Sequence, residues 1–352
     1  METPVRTDPG PGTGPGRTEG LAKRSALLSL WASYERPISV ALFAIALALP
    51  VIIDDPYVTT IAINCALYSV LGISLNLVTG YMGVTSLGHA AFYGIGSYTA
   101  AILATRFGTG FWLTFPAAAL VAAMFGLLLG LPTMRIRGRY FAIVTLGFLE
   151  ITRIVELNWM SLTRGPMGIP FIPSFIIFGR RYSKPINKYL ISMAILALVI
   201  YLISAIVNSR TGRAIRAIKD DELAAEVNGV NVFRYKLLIF SISAAIAGLA
   251  GAFYAHHMSF IDPKAFTFEQ SILMLSIIIL GGMGSIYGSI LGAIVLAVVP
   301  EVLRGLVEYR QIIYGVLIVF MVIVRPSGLL GSVNLEHIRQ RDSLPQLGRE
   351  NG

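Results

Sequence analysis

The sequence predicts an all-α fold, a polytopic transmembrane helical bundle of about ten spans, and three observations lead there. Only 13% of the 352 residues are charged while 55% are hydrophobic, and mean hydropathy is +0.72. A soluble domain carries about 25% charged residues, so this chain cannot cover a water-facing surface of its size. Apolar windows recur along the chain at the length, about 20 residues, that a helix needs to cross roughly 30 Å of hydrocarbon. The alternating segments of about ten residues that mark a membrane β-barrel are absent.

In chain order, residues 3–20 are Pro/Gly-rich and read as a disordered part of a cytoplasmic tail and basic flank, 1–36. No apolar core follows at signal-peptide distance. The membrane domain, 37–326, holds apolar spans at 38–53, 57–78, 84–105, 112–133, 140–156, 189–207, 237–255, 269–281, 285–303 and 310–325. The eighth is short for a crossing. Residues 327–352 form a C-terminal tail. The basic clusters Lys23/Arg24/Arg36, Arg135/Arg137/Arg139, Arg210 to Lys236 and Arg325/Arg339/Arg341 fall on one side if both termini are cytoplasmic. The connection 157–188 then lies outside, although it carries Arg164, Arg180, Arg181, Lys184 and Lys188. The net charge of +9 is thus a topology signal and not a nucleic-acid one. Cys65, the single cysteine, sits in an apolar run as a packing residue and has no internal disulfide partner.

The stretch Asn208 to Lys236 is charged and helix-prone between two apolar runs. Asp220 or Asp221 can cap a short helix, Glu222 suits its positive end, and Leu223 to Val227 continue it to a stop at Asn228-Gly229. Small Ala residues beside Leu and Val make a face that fits a partner's groove; an ordinary solvated loop helix is the plain alternative.

Glycines cluster twice, at Gly80, Gly83, Gly88, Gly94 and Gly96, and at Gly281, Gly282, Gly284, Gly288 and Gly292. Both clusters contain a G-x-M-G core, Gly80 to Gly83 and Gly281 to Gly284. Gly-interrupted segments in both halves of a transporter point to broken helices on the substrate path, and the alternative is close helix packing. Ser86, Gly88 and His89 belong to the first cluster. An intramembrane His either lines the path or bonds a backbone group freed by the glycines, and no nearby acid orients it as a catalytic base for Ser86. Glu150, Arg153 and Glu156 follow at a spacing of three, readable as a structural ion pair or as a gate on the path. They lack the further ligands a metal site needs. His256-His257 reads as a snorkelling pair at an outer helix end. The loop 162–170, with two Gly and two Pro, reads as an external cap, a receptor for a soluble protein, or a connector.

ELAAEVNG (Glu222 to Gly229) resembles the EAA-x3-G coupling motif of ABC importer permeases, with Ala224, Ala225 and Gly229 in the matching places. Val78 to Ala101, Arg135 to Arg153, Leu162 to Pro170, Gly212 to Ala255 and Leu280 to Ala293 are together similar to branched-chain amino acid permeases of the LivM type. The resemblance spans roughly residues 38–330. Val84-Thr85, Arg139 and Arg164 depart from its usual pattern.

The resemblance implies one membrane half of an ATP-driven importer in the cell inner membrane. It implies a second permease of similar fold, two cytoplasmic ABC ATPases and an external substrate-binding protein. It implies a branched-chain or other hydrophobic amino acid as cargo. This chain then binds no cofactor and hydrolyses no ATP, which agrees with the lack of any G-x-x-x-x-G-K-[ST] loop. Glu222, Ala224, Ala225 and Gly229 are its expected coupling residues. The candidate pathway residues are Ser86, Gly88, His89, Gly94, Glu150, Arg153, Gly281, Gly282 and Gly284. Rival readings are a permease for urea, amides or aromatic acids, an ion-coupled transporter or channel without ATPases, and a polytopic enzyme, for which no convergent set of acids or ligands exists.

Overall fold

The computed structural model describes residues 55–136, 140–177 and 180–302, with isolated positions at 315–316, 319, 323 and 328–329. These fall in one of two compact units, Pro50–Ser332; the other, Met1–Leu49 with Val333–Gly352, lies outside the described residues. Outside them too lie the expected first span, 38–53, most of the last, 310–325, the N-terminal tail, and the C-terminal tail apart from 328–329.

Helix α1, Pro56–Asn76, starts where the Asp55 carboxylate accepts from Tyr57 N at 2.8 Å and Pro56 needs no partner for a missing N–H. It runs on as a π-helical turn, Leu77–Tyr81. Residues 82–88 then enter the bundle without regular structure before α2, His89–Arg106. The apolar span expected at 84–105 is therefore helical only from His89. A Cβ at Gly88 would run into the Thr145 carbonyl, so the chain passes the helix Tyr140–Asn158 too closely for a helix of ordinary diameter.

The remaining helices are α3 (Phe111–Thr133), α4 (Tyr140–Asn158), α5 (Pro185–Val207), α6 (Arg210–Asp220), α7 (Glu222–Val227), α8 (Val232–Met258), α9 (Phe268–Gly281) and α10 (Ile286–Val302). Among the described residues five segments are long and apolar enough to cross a membrane: Pro56–Tyr81, Phe111–Thr133, Pro185–Val207, Val232–Met258 and Pro263–Gly281. Ile286–Val299 is a shorter apolar helix. Sequence reading placed these spans within six residues of their ends, while the spans expected at 84–105 and 140–156 are helices outside those five.

Helix α8 is central, packed by α3, α2 and α1, while α5 and α10 lie against α1 and α9 against α10. The α2–α8 crossing depends on Gly96 and Gly248. A side chain at Gly96 would strike the Gly248 backbone, and one at Gly248 would meet Ala122 Cβ and the Ala118 carbonyl, 2.7 Å away. In lipid, where apolar side chains gain little by leaving solvent, such backbone approach is what holds helices together.

The bundle has two distinct ends. At one, residue Gly80 meets Lys219 and Asn76 meets Gly284. At the other, Ile169–Pro170 (β1) pairs antiparallel with Phe260–Ile261 (β4), and Phe175–Ile177 (β2) pairs with Arg180–Tyr182 (β3). Arg106 donates there to the carbonyls of Ser161 and Leu162, and Lys188 to that of His257 at 2.9 Å. The connection 157–184 thus lies at the end opposite the 208–231 segment. The expected snorkelling of His256 is overturned: it is buried, its Nδ1 donates to the Pro173 carbonyl at 2.7 Å and its Nε2 accepts from Thr114 Oγ1 at 2.8 Å. Two polar partners and the edge of Phe111 hold it inside. His257 stacks on Phe253.

Candidate functional site

The 208–236 segment folds as two short helices. Ser209 Oγ caps α6, accepting from Thr211 N and Gly212 N. Asp221, and not Asp220, caps α7, its Oδ1 accepting from Leu223 N at 2.9 Å and Ala224 N at 3.0 Å. Asp220 is the last residue of α6. Gly229, at φ 83, ends α7 in the left-handed region, with Val230 N bonded back to the Ala225 carbonyl. Nothing crowds a Cβ there, so backbone conformation alone asks for Gly.

The orientation of α7 corrects the expected docking face. Ala225 is buried against Ile218 and Val232, with Val230 and Tyr235 packed around them. Leu223, Ala224 and Val227 point outward instead, Val227 being 88% exposed. One turn of helix separates 223 from 227, so these residues share a face while Ala225, about 200° from Leu223, must look inward. Glu222 Oε2 meets Lys236 Nζ at 2.7 Å, tying α7 to the N-terminal part of α8. Arg135 lies over the Phe233 ring beside it.

The two glycine clusters, 200 residues apart in sequence, meet in space. Gly284, at φ 84, sits in the α9–α10 turn and not on the face of α10, and its N–H donates to Asn76 Oδ1 at 2.8 Å. A Cβ at Gly80 would strike Asn76 and Gly284 together. Gly282 turns the chain out of α9 at φ 118. Gly281 faces Gly288, each leaving room for the other's carbonyl, so this pair serves close helix packing.

Ser86 and His89 are wholly buried. Ser74 Oγ donates to the Ser243 carbonyl at 2.7 Å and takes the His89 Nε2–H at 2.8 Å, while Ser243 Oγ returns a bond to the Ser74 carbonyl. That leaves His89 Nδ1 as an acceptor without a partner among the described residues, like the Ser86 hydroxyl. His89 therefore bonds a helix-to-helix serine network, with one ring nitrogen uncommitted.

Glu150, Arg153 and Glu156 do not act as one face. Glu150 and Arg153 pair at 3.1 Å with both side chains more than a third exposed. Glu156 turns inward, because two steps of three residues rotate about 120° around a helix. It is 5% exposed, and its Oε2 has no partner among the described residues. Its other oxygen lies where a Cβ on Gly94 would come within 2.8 Å, beside Phe266. Tyr93, Tyr98 and Tyr254 surround Phe266 there. Arg164 holds φ 63 in the neighbouring loop, a left-handed conformation that favours glycine.

Sequence reading missed three residues: Asn76, Lys219 and the inward turn of Glu156. Asn76 had a signal, an amide within an apolar run, which is costly in a membrane unless it is bonded. Lys219 had none beyond membership of a basic stretch. Among the described residues no group of three His, Cys, Asp or Glu side chains is placed to hold a metal ion.

The family described as branched-chain amino acid transport system / permease component matches residues 57–322. The chain is 40% identical over 314 residues to the high-affinity branched-chain amino acid transport system permease protein LivM of Escherichia coli (strain K12), covering 83% of this chain and 74% of that protein. It is 26% identical over 291 residues to LivH of the same organism, covering 77% and 93%. To BraD of Pseudomonas aeruginosa it is 27% identical over 292 residues, covering 77% and 94%. No solved structure matches the chain.

Proposed function

The chain belongs to the family of branched-chain amino acid transport permease components, and from that premise we propose that it forms half of the membrane path of an ATP-driven importer for leucine, isoleucine and valine. In this reading it spans the cell inner membrane about ten times in an ABC importer permease fold, with both termini and the 208–236 segment cytoplasmic. A second permease of similar fold completes the path. The relatives named LivM and LivH differ in sequence, which favours two unlike halves. Two ABC ATPases on separate chains dock beneath, and a binding protein delivers solute to the end formed by 157–184 and the α8–α9 connection.

The observation that carries the coupling role is the capped helix α7. It presents Leu223, Ala224 and Val227 to solvent while Ala225 and the Glu222–Lys236 pair fasten it to the bundle. An apolar knob on a firmly held short helix can enter a groove on another protein without ordering itself first. Glu222, Ala224, Ala225 and Gly229 accordingly divide into a clamp, a contact, a seat and a stop. In the path, ATP binding and release of the delivered solute bias two conformations of similar energy. Ser86, Gly88, His89 and the 281–284 turn are the proposed moving parts beside that path. Gly94 with Glu156 sits toward its outer end, and the Glu150–Arg153 pair lies on a face left for the bilayer or the second permease.

Reconstitution with the partner subunits tests this reading. ATP-dependent uptake of L-leucine is the expected result, unaffected by collapsing ion gradients. Leu223→Asp combined with Val227→Asp should leave the permease folded while the ATPases no longer co-purify. Full uptake by that variant would remove the docking face, and uptake of urea in place of leucine would move the substrate assignment.

A further inference from the structure

We propose that Lys219 is the positioning residue through which displacement of the α6–α7 segment reaches both glycine-rich turns of the bundle, acting as a strut that stays engaged. Its Nζ donates to the Gly80 carbonyl at 2.7 Å, inside the π turn that closes α1. Its Cγ lies 3.0 Å from where a side chain on Gly83 would begin, so the aliphatic stem rests on that turn. On the other side of the same turn Asn76 is wholly buried. It accepts from Gly284 N at 2.8 Å and donates to the Ser285 carbonyl at 2.9 Å and to Ser289 Oγ at 2.8 Å. Helix α6, the end of α1 and the start of α10 are thereby one hydrogen-bonded unit, although they come from distant parts of the sequence.

The chemistry suits a strut. The last carbonyls of a helix have no intrahelical donor and carry the negative end of its dipole, so an ammonium group there forms a charge-assisted bond. Segments that widen to π geometry accept a side-chain donor without breaking, and they recur at functional positions. Gly83, at φ 78, lets the chain leave the turn directly over the lysine. Beyond it, residues 82–88 carry Ser86 and Gly88 into the bundle. A push on α6 therefore acts on the broken segment at its entry and, through Asn76, on the 281–285 turn.

This inference rests on the reading of 208–236 as the ATPase platform, and the test separates the two. The whole transporter is assembled in proteoliposomes in a Cys65→Ser background, and both L-[14C]leucine uptake and ATP hydrolysis are recorded. Lys219→Met keeps the stem and removes the bond. It should lower leucine taken up per ATP hydrolysed by about tenfold, within the roughly 5–150-fold range of intersite couplings. Hydrolysis itself should hold. A second variant, Gly83→Cys with Lys219→Cys, places two thiols on positions whose Cβ atoms are 3.6 Å apart, within disulfide reach. Reduced, it should be as uncoupled as Lys219→Met; oxidised, the covalent link should restore uptake per ATP.

Wild-type coupling in Lys219→Met, or an oxidised double variant no better coupled than its reduced form, overturns the strut alone. A disulfide that lowers uptake further also overturns it, since the contact would then have to open. A wild-type complex without ATP-driven leucine uptake overturns the platform reading and the strut together.

Discussion

Helices α1 and α8 are 72% buried across their membrane windows, whereas α3 and α5 are 33% and 39% buried, yet α5 is the most apolar of the candidate spans. Burial here does not follow hydropathy, unlike in a soluble protein, where the most apolar helix lies innermost. The buried pair carries more of the buried polar groups: Thr59, Ser69, Ser74 and Asn76 on α1 and Lys236, Ser241, Ser243 and His256 on α8, against Thr114 and Thr133 on α3 and Ser192 on α5. In α3 the exposed residues include Trp112, Leu113, Leu120, Met124, Leu128 and Leu131. Lipid tails solvate leucine as well as a protein core does, so burial is assigned by close packing and hydrogen bonding and not by hydropathy. Small residues and hydroxyls therefore mark the interior of this bundle.

Three substitutions would break or sharpen that contrast, in falling order of effect. Gly248→Leu should be the most damaging, because its first carbon already collides with Ala122 and the Ala118 carbonyl. At the upper end of overpacking, about 3 kcal/mol or more, it should abolish a monodisperse detergent-solubilised transporter. A stable Gly248→Leu protein would mean that α2, α3 and α8 can separate freely. Ser74→Ala removes only the hydroxyl and takes the partners from His89 Nε2 and the Ser243 carbonyl. It should cost about 2 kcal/mol, as when a buried polar group loses its bond, read as a lowered thermal midpoint. Leu128→Ala, at a position 65% exposed on α3, should change stability by less than about 0.5 kcal/mol. A larger loss in the complete transporter would identify this face of α3 as the seat of the second permease and not of lipid.

The same physics explains which sites could be read in advance. Spans were legible because thickness sets length and composition alone reports it. Helix α7 was legible because Asp221 and Gly229 are local signals, and capping depends on neighbours in sequence. The inward seat of Ala225 was not, since it depends on Ile218 and Val232 closing over it. Likewise the charges at 150, 153 and 156 looked alike in sequence, and only the packing of α4 against α2 separates an exposed ion pair from a buried carboxylate. His256 was misread for a related reason: Thr114 and Pro173, which hold it, come from elements far away in the chain.

By itself the sequence determined the class of the molecule, the rough extent of its spans and the presence of a charged, capped segment between two of them. Hydrophobic length, charge placement and helix caps are properties of contiguous residues, and a bilayer admits few structures that satisfy them. The tertiary structure decided which helices lie inside, that the two glycine clusters touch, and that Lys219 and Asn76 join them. Those outcomes depend on backbone approach and on hydrogen bonds between residues more than a hundred positions apart. No local pattern encodes such pairings, because a buried amide needs a partner and the fold alone chooses which one.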